Sequence, residues 1–215
     1  MKAETVILAN GGFPAALEPL SVLRRARRIV CCDGAAVALS AAGLEPAAVV
    51  GDLDSLPAVW RKRYADRLAP DPGQADNDLA KAFRYCLAQG WRDLAILGAT
   101  GLREDHTLGN LAWLVDFARE ARVRMVTDHG LFVPALKSAR FPCEPGQAVS
   151  IFSFDPATAI RSTGLAYPLR GLRLTRWWQA TLNQAAGRRF ELRFRGGPLL
   201  VFLAHPRRPR AGRTR

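Results

Sequence analysis

The stretch Val49-Val50-Gly51-Asp52-Leu53-Asp54-Ser55 places two carboxylates directly after an apolar pair. If the two valines end a buried strand, Asp52 and Asp54 point the same way, because strand side chains alternate with a period of two. Two such carboxylates repel each other unless a cation lies between them, and Mg²⁺ takes hard oxygen ligands of this kind, usually together with substrate phosphates. A solvated turn, in which Asp54 and Ser55 cap the next helix, explains the same residues equally well. The stretch alone leaves both interpretations open.

Short apolar runs alternate with helical patterns on both sides of this stretch. Glycines and prolines lie at the ends of most of these segments. Gly43 ends one helix, and Pro57 lies in the first turn of another. The alternation predicts a mostly parallel sheet with helices on both faces. We predict strands at residues 5–9, 28–32, 47–50, 93–97 and 123–127, and helices at 17–25, 35–42, 57–68, 76–89 and from 103 or 104 to 121.

The residue pattern changes after about residue 128, where prolines and glycines become frequent and long helical patterns stop. Short strands are predicted at 149–154, 159–163, 190–195 and 199–203, which indicates an all-β domain. We therefore predict an α/β domain over residues 1–130, an all-β domain over 131–206 and a basic tail over 207–215. The tail has five arginines and nothing apolar to bury, so we expect it to be disordered.

Composition limits the class of protein. The chain has 215 residues, 49% hydrophobic and 23% charged, which is ordinary for a globular protein with a sizeable core. We find no apolar run of membrane-spanning length and no signal-peptide layout, so we expect a cytoplasmic protein without a membrane partner. The four cysteines have neither CxxC spacing nor paired histidines, which argues against a zinc site and favours reduced, structural thiols.

The formal net charge is +12, and nucleic acid is the first partner that such a charge suggests. Five of the arginines, however, lie in the tail, and the others occur mostly singly along predicted helices and strands. That distribution is more typical of solvated faces. We therefore expect no specific nucleic-acid partner, and keep a basic nucleic-acid-binding protein as the alternative from another functional class.

Polar residues and glycines follow four of the predicted strands of the first domain. The carboxyl ends of parallel strands are where open α/β sheets bind their ligands, and glycine lets backbone N–H groups approach a phosphate closely. The segments are Asn10-Gly11-Gly12, Asp33-Gly34, Gly51-Asp52-Leu53-Asp54-Ser55 and Gly98-Ala99-Thr100-Gly101.

Carboxylates at two helix starts, Asp76/Asp78 and Asp105, add to this edge. Each has an ordinary structural explanation: Asp76 is well placed as an N-cap, and Asp78 and Asp105 suit the helix dipole. The collection as a whole favours a phosphate-bound Mg²⁺. The chain has neither a GxxxxGK[ST] loop nor a GxGxxG fingerprint, so the site is not an ordinary P-loop or dinucleotide site.

In their order and spacing, these motifs resemble the thiamine pyrophosphokinase family. The resemblance continues through Asp76-Asn77-Asp78-Leu79-Ala80-Lys81 and through Arg103, Asp105, His106, Thr107, Leu108 and Asn110. In the second domain, the segment from Ser162 to Leu169 resembles the start of the family's thiamine-binding β-sandwich, and the segment from Gly197 to Val201 resembles its last strand. The resemblance implies a three-layer α/β domain followed by a β-sandwich.

The family transfers a pyrophosphoryl group from ATP to the hydroxyethyl oxygen of thiamine, giving thiamine diphosphate and AMP. The resemblance implies Mg²⁺ held by Asp52, Asp54 and Asp78, with Asp105 as a fourth catalytic carboxylate. It also implies a homodimer with thiamine bound at the subunit interface. The ATP-binding positions that it implies are Asn10, Gly11, Asp33, Gly34, Gln74, Asn77, Lys81, Thr100, Gly101, Arg103 and His106.

The acceptor site carries the clearest departure from the family pattern. In Thr181-Leu182-Asn183 the asparagine matches the family, whereas Leu182 stands where a serine is frequent. We expect Trp178, Thr181 and Asn183 to contact the acceptor, although either Trp177 or Trp178 suits a place in the β core equally well. Leu182 keeps one alternative open, a pyrophosphokinase for another heterocyclic alcohol such as a hydroxymethylpterin.

Overall fold

The structure is a computed structural model that describes residues 4–206. The predicted disordered tail, 207–215, lies outside the described residues. The chain forms two compact units, one ending at Asp128 and the other beginning at His129.

The first unit is built on a six-stranded parallel sheet. Its strands are near-continuous apolar runs, as expected where helices cover both faces of a sheet. The spatial order is β6-β5-β1-β2-β3-β4, and all five neighbouring pairs are parallel. The strands are β1 (Thr5–Leu8), β2 (Arg28–Cys32), β3 (Ala48–Gly51), β4 (Leu68–Pro70), β5 (Asp93–Leu97) and β6 (Arg122–Val126).

Five α-helices connect these strands. The strand order runs outward from β1 to β4 and then reverses at β5, so right-handed crossovers place the last two helices on the face opposite the first three. The reversal creates a topological switch point between β1 and β5, where open sheets bind ligands. The helices are α1 (Leu17–Arg24), α2 (Ala35–Ala41), α3 (Ala58–Arg63), α4 (Asp78–Ala88) and α5 (Glu104–Phe117).

Three details of the first unit differ from the sequence prediction. The helix predicted over 57–68 ends at Arg63, and a 3₁₀ turn (Ala65–Arg67) and strand β4 follow it. Strand β4 lies at the edge of the sheet, where Pro70 is tolerated. Asp76 is not the N-cap of α4; that role belongs to Asn77, whose Oδ1 accepts a hydrogen bond from the Ala80 N–H at 3.1 Å. The fifth helix ends at Phe117 rather than 121.

The second unit consists of antiparallel strands in two layers. One layer, the β14 layer, has the order β12-β9-β14-β7, and the other, the β13 sheet, has the order β11-β10-β13-β8. Apolar residues of both layers form one core, including Ile151, Val201, Ile160 and Leu192. The strands are β7 (Gly130–Ala135), β8 (Ala139–Pro142), β9 (Ala148–Ser153), β10 (Ala159–Thr163), β11 (Arg170–Arg173), β12 (Asn183–Gln184), β13 (Arg189–Arg195) and β14 (Leu199–Ala204).

The predicted fold class, a three-layer α/β domain followed by a β-sandwich, is confirmed. All four cysteines carry free thiols, and Cys31, Cys32 and Cys86 are buried. Burial raises the pKa of the Cys86 thiol to about 12, so this side chain acts as a small apolar residue. Within residues 4–206, no helix has the length and apolar character needed to cross a bilayer.

Candidate functional site

Two glycine-containing loops meet at the switch point of the parallel sheet. The Gly11 N–H donates to the Gly98 carbonyl at 2.7 Å, and the Gly12 N–H donates to the Thr100 carbonyl at 2.7 Å. A Cβ on Gly11 would lie 2.4 Å from the Gly98 oxygen, so only glycine permits this approach. The loops that follow β1 and β5 therefore form one continuous rim.

This rim borders a cavity of about 330 Å³ at the carboxyl ends of the strands. The cavity brings together several residues predicted to bind nucleotide, namely Asn10, Gly11, Asn77, Thr100, Arg103 and His106, together with Asp78. Other lining residues were not predicted as site residues, among them Ser55, Leu102, Thr107 and Asn110. Backbone N–H groups and polar side chains converge here, as a site for a phosphorylated ligand requires.

Asn110 belongs to the motif that carries the family resemblance, but no role in the site was predicted for it. It is 7% exposed, accepts a hydrogen bond from Asn77 Nδ2 at 2.9 Å and donates one to the Ala99 carbonyl at 2.9 Å. It therefore connects α5 to the start of α4 and to the loop after β5. An asparagine within a helix, where its propensity is poor, is the sequence signal that could have indicated this role.

The paired aspartates of the opening stretch lie together with Asp33. Asp33, Asp52 and Asp54 each offer a carboxylate oxygen, and these oxygens lie within 4.8 Å of one another. The backbone brings them together because Leu53, between the pair, has a positive φ of 66° and turns the chain sharply. Hydrogen bonds support the turn: Asp52 Oδ1 accepts from the Asp54 N–H at 3.3 Å, and Gln74 Nε2 donates to Asp52 Oδ2 at 3.4 Å.

Asp33 supplies the strongest sign that this cluster suits a cation. The residue is 1% exposed, and its Oδ2 accepts a hydrogen bond from the Ser55 N–H at 2.9 Å. Its Oδ1 is buried without a hydrogen-bond partner among the described residues. Burial raises the pKa of Asp33, although the Ser55 N–H opposes that shift. An orphaned carboxylate oxygen beside two further carboxylates is a donor set that fits Mg²⁺.

Lys81 is a buried counter-ion at one side of this cluster. Its side chain is 2% exposed, and Nζ lies 3.1 Å from Asp78 Oδ1 and 3.7 Å from Asp52 Oδ2. Burial lowers the pKa of Lys81, but the hydrogen bond and the charges of the two aspartates raise it by more, so the ammonium form is retained. Lys81 therefore lies between Asp78 and Asp52, so Asp78 adjoins the group formed by Asp33, Asp52 and Asp54.

Asp105 lies apart from the acidic cluster. It forms a two-point ion pair with Arg103, with Nη2 2.6 Å from Oδ2, and both side chains are exposed. The hydrogen bond from Arg103 lowers the pKa of Asp105 to about 2. The structure thus places Asp105 with Arg103 and the His106 N–H at the start of α5, beside the cavity.

Two further glycines predicted to bind ATP have local reasons to be glycine. A Cβ on Gly34 would lie 2.9 Å from the amide nitrogen of Asn10, so Gly34 leaves room for that side chain. Gly101 has φ of +91°, a conformation that other residues rarely adopt. Both support the shape of the rim.

The acceptor residues predicted in the second unit occupy different environments. Asn183 is buried and holds the backbone of Tyr167 by two hydrogen bonds, accepting from its N–H at 3.1 Å and donating to its carbonyl at 2.7 Å. Trp178 is 71% exposed, and the Thr181 hydroxyl donates to its carbonyl at 2.8 Å. Trp177 is also exposed, so of the two interpretations left open for the tryptophans, the one that places a tryptophan in the β core is wrong. Leu182 is 86% exposed with a positive φ of 60°.

Sequence profiles of a single protein family match both units. The sequence profile of the thiamin pyrophosphokinase catalytic domain matches residues 20–127, and that of the substrate-binding domain matches residues 130–202. A thiamine pyrophosphokinase of Bacillus subtilis is 28% identical over 155 residues, which are 66% of this chain and 71% of that protein.

Solved structures share the fold. The crystal structure of a thiamin pyrophosphokinase from Geobacillus thermodenitrificans superposes with a TM-score of 0.79 at 22% identity, covering 96% of this chain and 98% of the other. A thiamin pyrophosphokinase from Candida albicans gives 0.76 at 16% identity, covering 94% and 89%. Because both domain profiles match in order along nearly the whole chain, this chain belongs to the thiamine pyrophosphokinase family.

Proposed function

We propose that this protein transfers the pyrophosphoryl group of ATP to the hydroxyethyl oxygen of thiamine, giving thiamine diphosphate and AMP. Membership of the family supports the reaction, and the aspartate cluster beside the switch-point cavity supports its chemistry. The single observation that carries most weight is the buried Asp33 oxygen without a partner, because such a group needs a cation or a proton.

In this reaction the alcohol oxygen forms a bond to the β-phosphorus, the bond from that phosphorus to the bridging oxygen of AMP breaks, and the hydroxyl proton is released. Negative charge shifts toward AMP as that bond breaks, so catalysis depends on positioning and on nearby positive charge. Lys81 offers a buried ammonium beside the aspartates, and Arg103 offers a guanidinium at the cavity.

We propose that Asp52 and Asp54 hold Mg²⁺, with Asp33 as a third ligand and Asp78 positioned through Lys81. Bound there, Mg²⁺ would neutralise the phosphate oxygens of ATP. Asn10, Gly11, Asn77, Thr100, Gly101 and His106 would shape the nucleotide site, with Gly34 and Gln74 supporting its rim. Asp105 would fix Arg103, since the two side chains form a two-point ion pair.

For the acceptor, we propose that Trp178 and Thr181 contact thiamine. We propose that Asn183, which is buried, holds the backbone at Tyr167 in position beside them. Trp178 is largely exposed and can stack on a flat heteroaromatic ring, whereas both amide atoms of Asn183 already bond to Tyr167. We also propose a homodimer and a cytoplasmic location. Four free thiols suit a reducing compartment, and size-exclusion chromatography with light scattering measures the oligomeric state.

The deciding experiment incubates the full chain with thiamine, ATP and MgCl₂ and separates the products by chromatography. We expect thiamine diphosphate and AMP in equal amounts. ADP as the sole nucleotide product would contradict pyrophosphoryl transfer. A parallel panel with a hydroxymethylpterin tests the acceptor, and preferential use of the pterin would overturn the assignment of thiamine.

A further inference from the structure

The net positive charge of this protein lies in residues 129–215. Residues 1–128 contain 16 Lys and Arg against 16 Asp and Glu, whereas residues 129–215 contain 15 against 3. The catalytic unit is therefore neutral by this count, and the whole excess of +12 belongs to the β unit and the tail. Neither ATP binding nor thiamine binding at the sites described above accounts for this asymmetry.

Within the β unit, most of the basic residues lie on the outer face of the β13 sheet. Along β13 the residues alternate strictly between exposed and covered, with Phe190, Leu192 and Phe194 directed into the core. The register of the neighbouring strands extends this alternation across the sheet. The exposed face, which we call the arginine face, carries Arg140, Arg161, Arg170, Arg173, Arg189, Arg193 and Arg195.

Several of these arginines stand directly opposite one another. Arg161 on β10 pairs in register with Arg193 on one side and with Arg170 on the other. Like charges in such cross-strand positions destabilise a sheet. Glu191 is the single acidic residue on this face, and it is shared between Arg193 at 2.9 Å and Arg140 at 3.6 Å. One carboxylate cannot neutralise seven guanidinium groups, so the face carries a net charge that an external anion would relieve.

One end of the arginine face is concave. A cavity of about 330 Å³ opens there, lined by Arg140, Thr163, Gly164, Arg189, Phe190 and Glu191. Two guanidinium groups and a hydroxyl in this lining can donate to a phosphate group, while the Glu191 carboxylate in the same lining is paired with Arg140 and Arg193. The face therefore combines an extended row of positive charges with a place where one phosphate can be partly enclosed.

We propose that the arginine face binds the sugar-phosphate backbone of a nucleic acid without reading its sequence. A guanidinium group can donate hydrogen bonds to two oxygens of one phosphate. The outward positions of this sheet hold no aromatic ring on which a base could stack. The same positions hold no large apolar side chain that could insert into a lipid surface, which disfavours a membrane as the occupant. A second copy meeting the face about a two-fold axis would oppose arginine to arginine.

The test measures binding of the full-length protein to a fluorescently labelled DNA duplex of mixed sequence by anisotropy, at several salt concentrations. The variant Arg161→Gln/Arg193→Gln removes two charges from the middle of the face. The matched control Arg24→Gln/Arg25→Gln removes two exposed charges from the end of α1 in the neutral unit. A third protein lacks residues 207–215, because five arginines of the tail could bind DNA by themselves.

We expect the face variant to bind about tenfold more weakly at low salt and to lower the slope of log affinity against log salt by about two. The control should retain its affinity, and a second duplex sequence should give the same values. Unchanged binding of a face variant that melts like the wild type would overturn the proposal, as would complete loss of binding in the tail deletion alone. Tighter binding to phosphatidylserine vesicles or to polyglutamate than to DNA would instead assign the face to a membrane or to an acidic protein. Thiamine diphosphate synthesis is the separate readout of the proposed catalytic function, and we expect it to be unchanged in the face variant.

Discussion

Asp33 differs from the other site carboxylates because it is both buried and incompletely bonded. Its position after β2 is fixed by a hydrogen bond from its own N–H to the Val50 carbonyl at 2.9 Å, so the two strand ends are locked together. Asp52 and Asp54, by contrast, lie on a turn that water can reach. The cluster thus combines one buried carboxylate with two that solvent reaches, an arrangement that suits a cation shared with a bound ligand.

Replacement of Asp54 tests the role of the cluster most directly. We expect Asp54→Asn to lower turnover at least ~10²-fold, as loss of a charge-stabilising group typically does. Its thermal stability should stay near that of the wild type, because the side chain is exposed. Steady-state assay of AMP formation measures the effect. Asp66→Asn, an exposed carboxylate on the 3₁₀ turn, is the matched control and should keep full activity; a fully active Asp54→Asn enzyme would remove the aspartate pair from the mechanism.

At the scale of single residues, sequence reasoning predicted that the aspartate pair and several of the residues that line the cavity would gather at one edge of the sheet. It gave Asp76 the capping role of Asn77, and it did not foresee that Asp33 would join the pair as closely as the structure shows. The choice of cap and the position of Asp33 both depend on the direction of a side chain in a loop, which a sequence pattern does not specify. Aspartate and asparagine are almost equally good caps, so composition alone cannot choose between neighbours.

Helices α4 and α5 are held at the site by polar bonds as well as by apolar packing. Phe83 and Phe117 stack with ring centroids 3.9 Å apart, and the Asn77–Asn110 hydrogen bond lies nearer the cavity. We expect Asn110→Ala to lower the free energy of unfolding by ~1–3 kcal/mol, because the Ala99 carbonyl and the Asn77 amide each lose a partner. Urea denaturation measures this change.

An exposed residue of the same helix pair provides the comparison. Gln89→Ala at the end of α4 should stay within ~0.5 kcal/mol of the wild type. If Asn110→Ala were equally neutral, water would be replacing the lost bonds, and the inference that Asn110 organises the cavity rim would fail.

In the second unit, Asp155 connects the β9–β10 loop to the β13–β14 turn. Its carboxylate accepts hydrogen bonds from the Ala157 N–H at 2.9 Å, the Thr158 hydroxyl at 2.8 Å and the Gly197 N–H at 3.1 Å. These bonds, the one from Ala157 first, lower the pKa of Asp155 below its ordinary value of 3.8. A depressed pKa in the folded state means that the ionised carboxylate stabilises the fold.

Asp155→Asn should therefore melt at a lower temperature than the wild type near neutral pH. The stabilisation is complete above the unfolded pKa of 3.8 and is lost as the pH falls through the lower pKa of the folded state. The difference in melting temperature between the two proteins should then shrink in acid. Calorimetry across this range measures it, and Glu144→Gln, an exposed carboxylate of the same unit, should show no such trend. A difference that is constant with pH would show that the charge is not responsible.

At the scale of elements, long apolar runs were predictable and short or interrupted strands were not. Residues 28–32, 93–97 and 159–163 were predicted with the bounds that the structure has. Strands β4, β7, β8, β11 and β12 were missed, because they are brief or contain proline or glycine, as in Pro134 of β7 and Gly171 of β11. Their pairing depends on neighbouring strands, which a local pattern does not reveal.

The whole molecule separates its charges between a neutral α/β unit and a basic β unit. We expect this separation to lower the stability of the β13 sheet. We expect Arg161→Gln to stabilise the protein by ~0.2–1 kcal/mol at low salt, because it removes the repulsion of Arg161 from the arginines on either side. The gain should diminish in high salt, where exposed charges are screened.

Parallel urea titrations at low and high salt measure this prediction. Arg176→Gln removes an arginine of the same unit outside the sheet and should leave stability almost unchanged. A loss of stability in Arg161→Gln would show that its aliphatic stem contributes more through packing than its charge costs through repulsion.

Sequence reasoning reached the fold class and the family at this scale, because ordered motifs extend along both units. It did not reach the distribution of charge. The arginines occur mostly singly in the sequence, a distribution that predicts separate solvated faces, whereas antiparallel register brings residues from positions 140 to 195 onto one surface. Only pairing between distant segments produces that surface.

The burial of Lys81 has a consequence for how opening of the active site can be detected. The chain has only four lysines, of which Lys62 and Lys137 are exposed while the Lys81 side chain is 2% exposed. An amine-acylating reagent should therefore modify Lys62 and Lys137 rapidly and reach Lys81 only when the start of α4 opens transiently. The ratio of these rates, measured by mass spectrometry of digested samples, reports the free energy of that opening. Equal rates at the three lysines in the folded protein would contradict the burial of Lys81. The acylation rate of Lys81, the lysine that neutralises the aspartates, therefore reports how often the start of α4 opens.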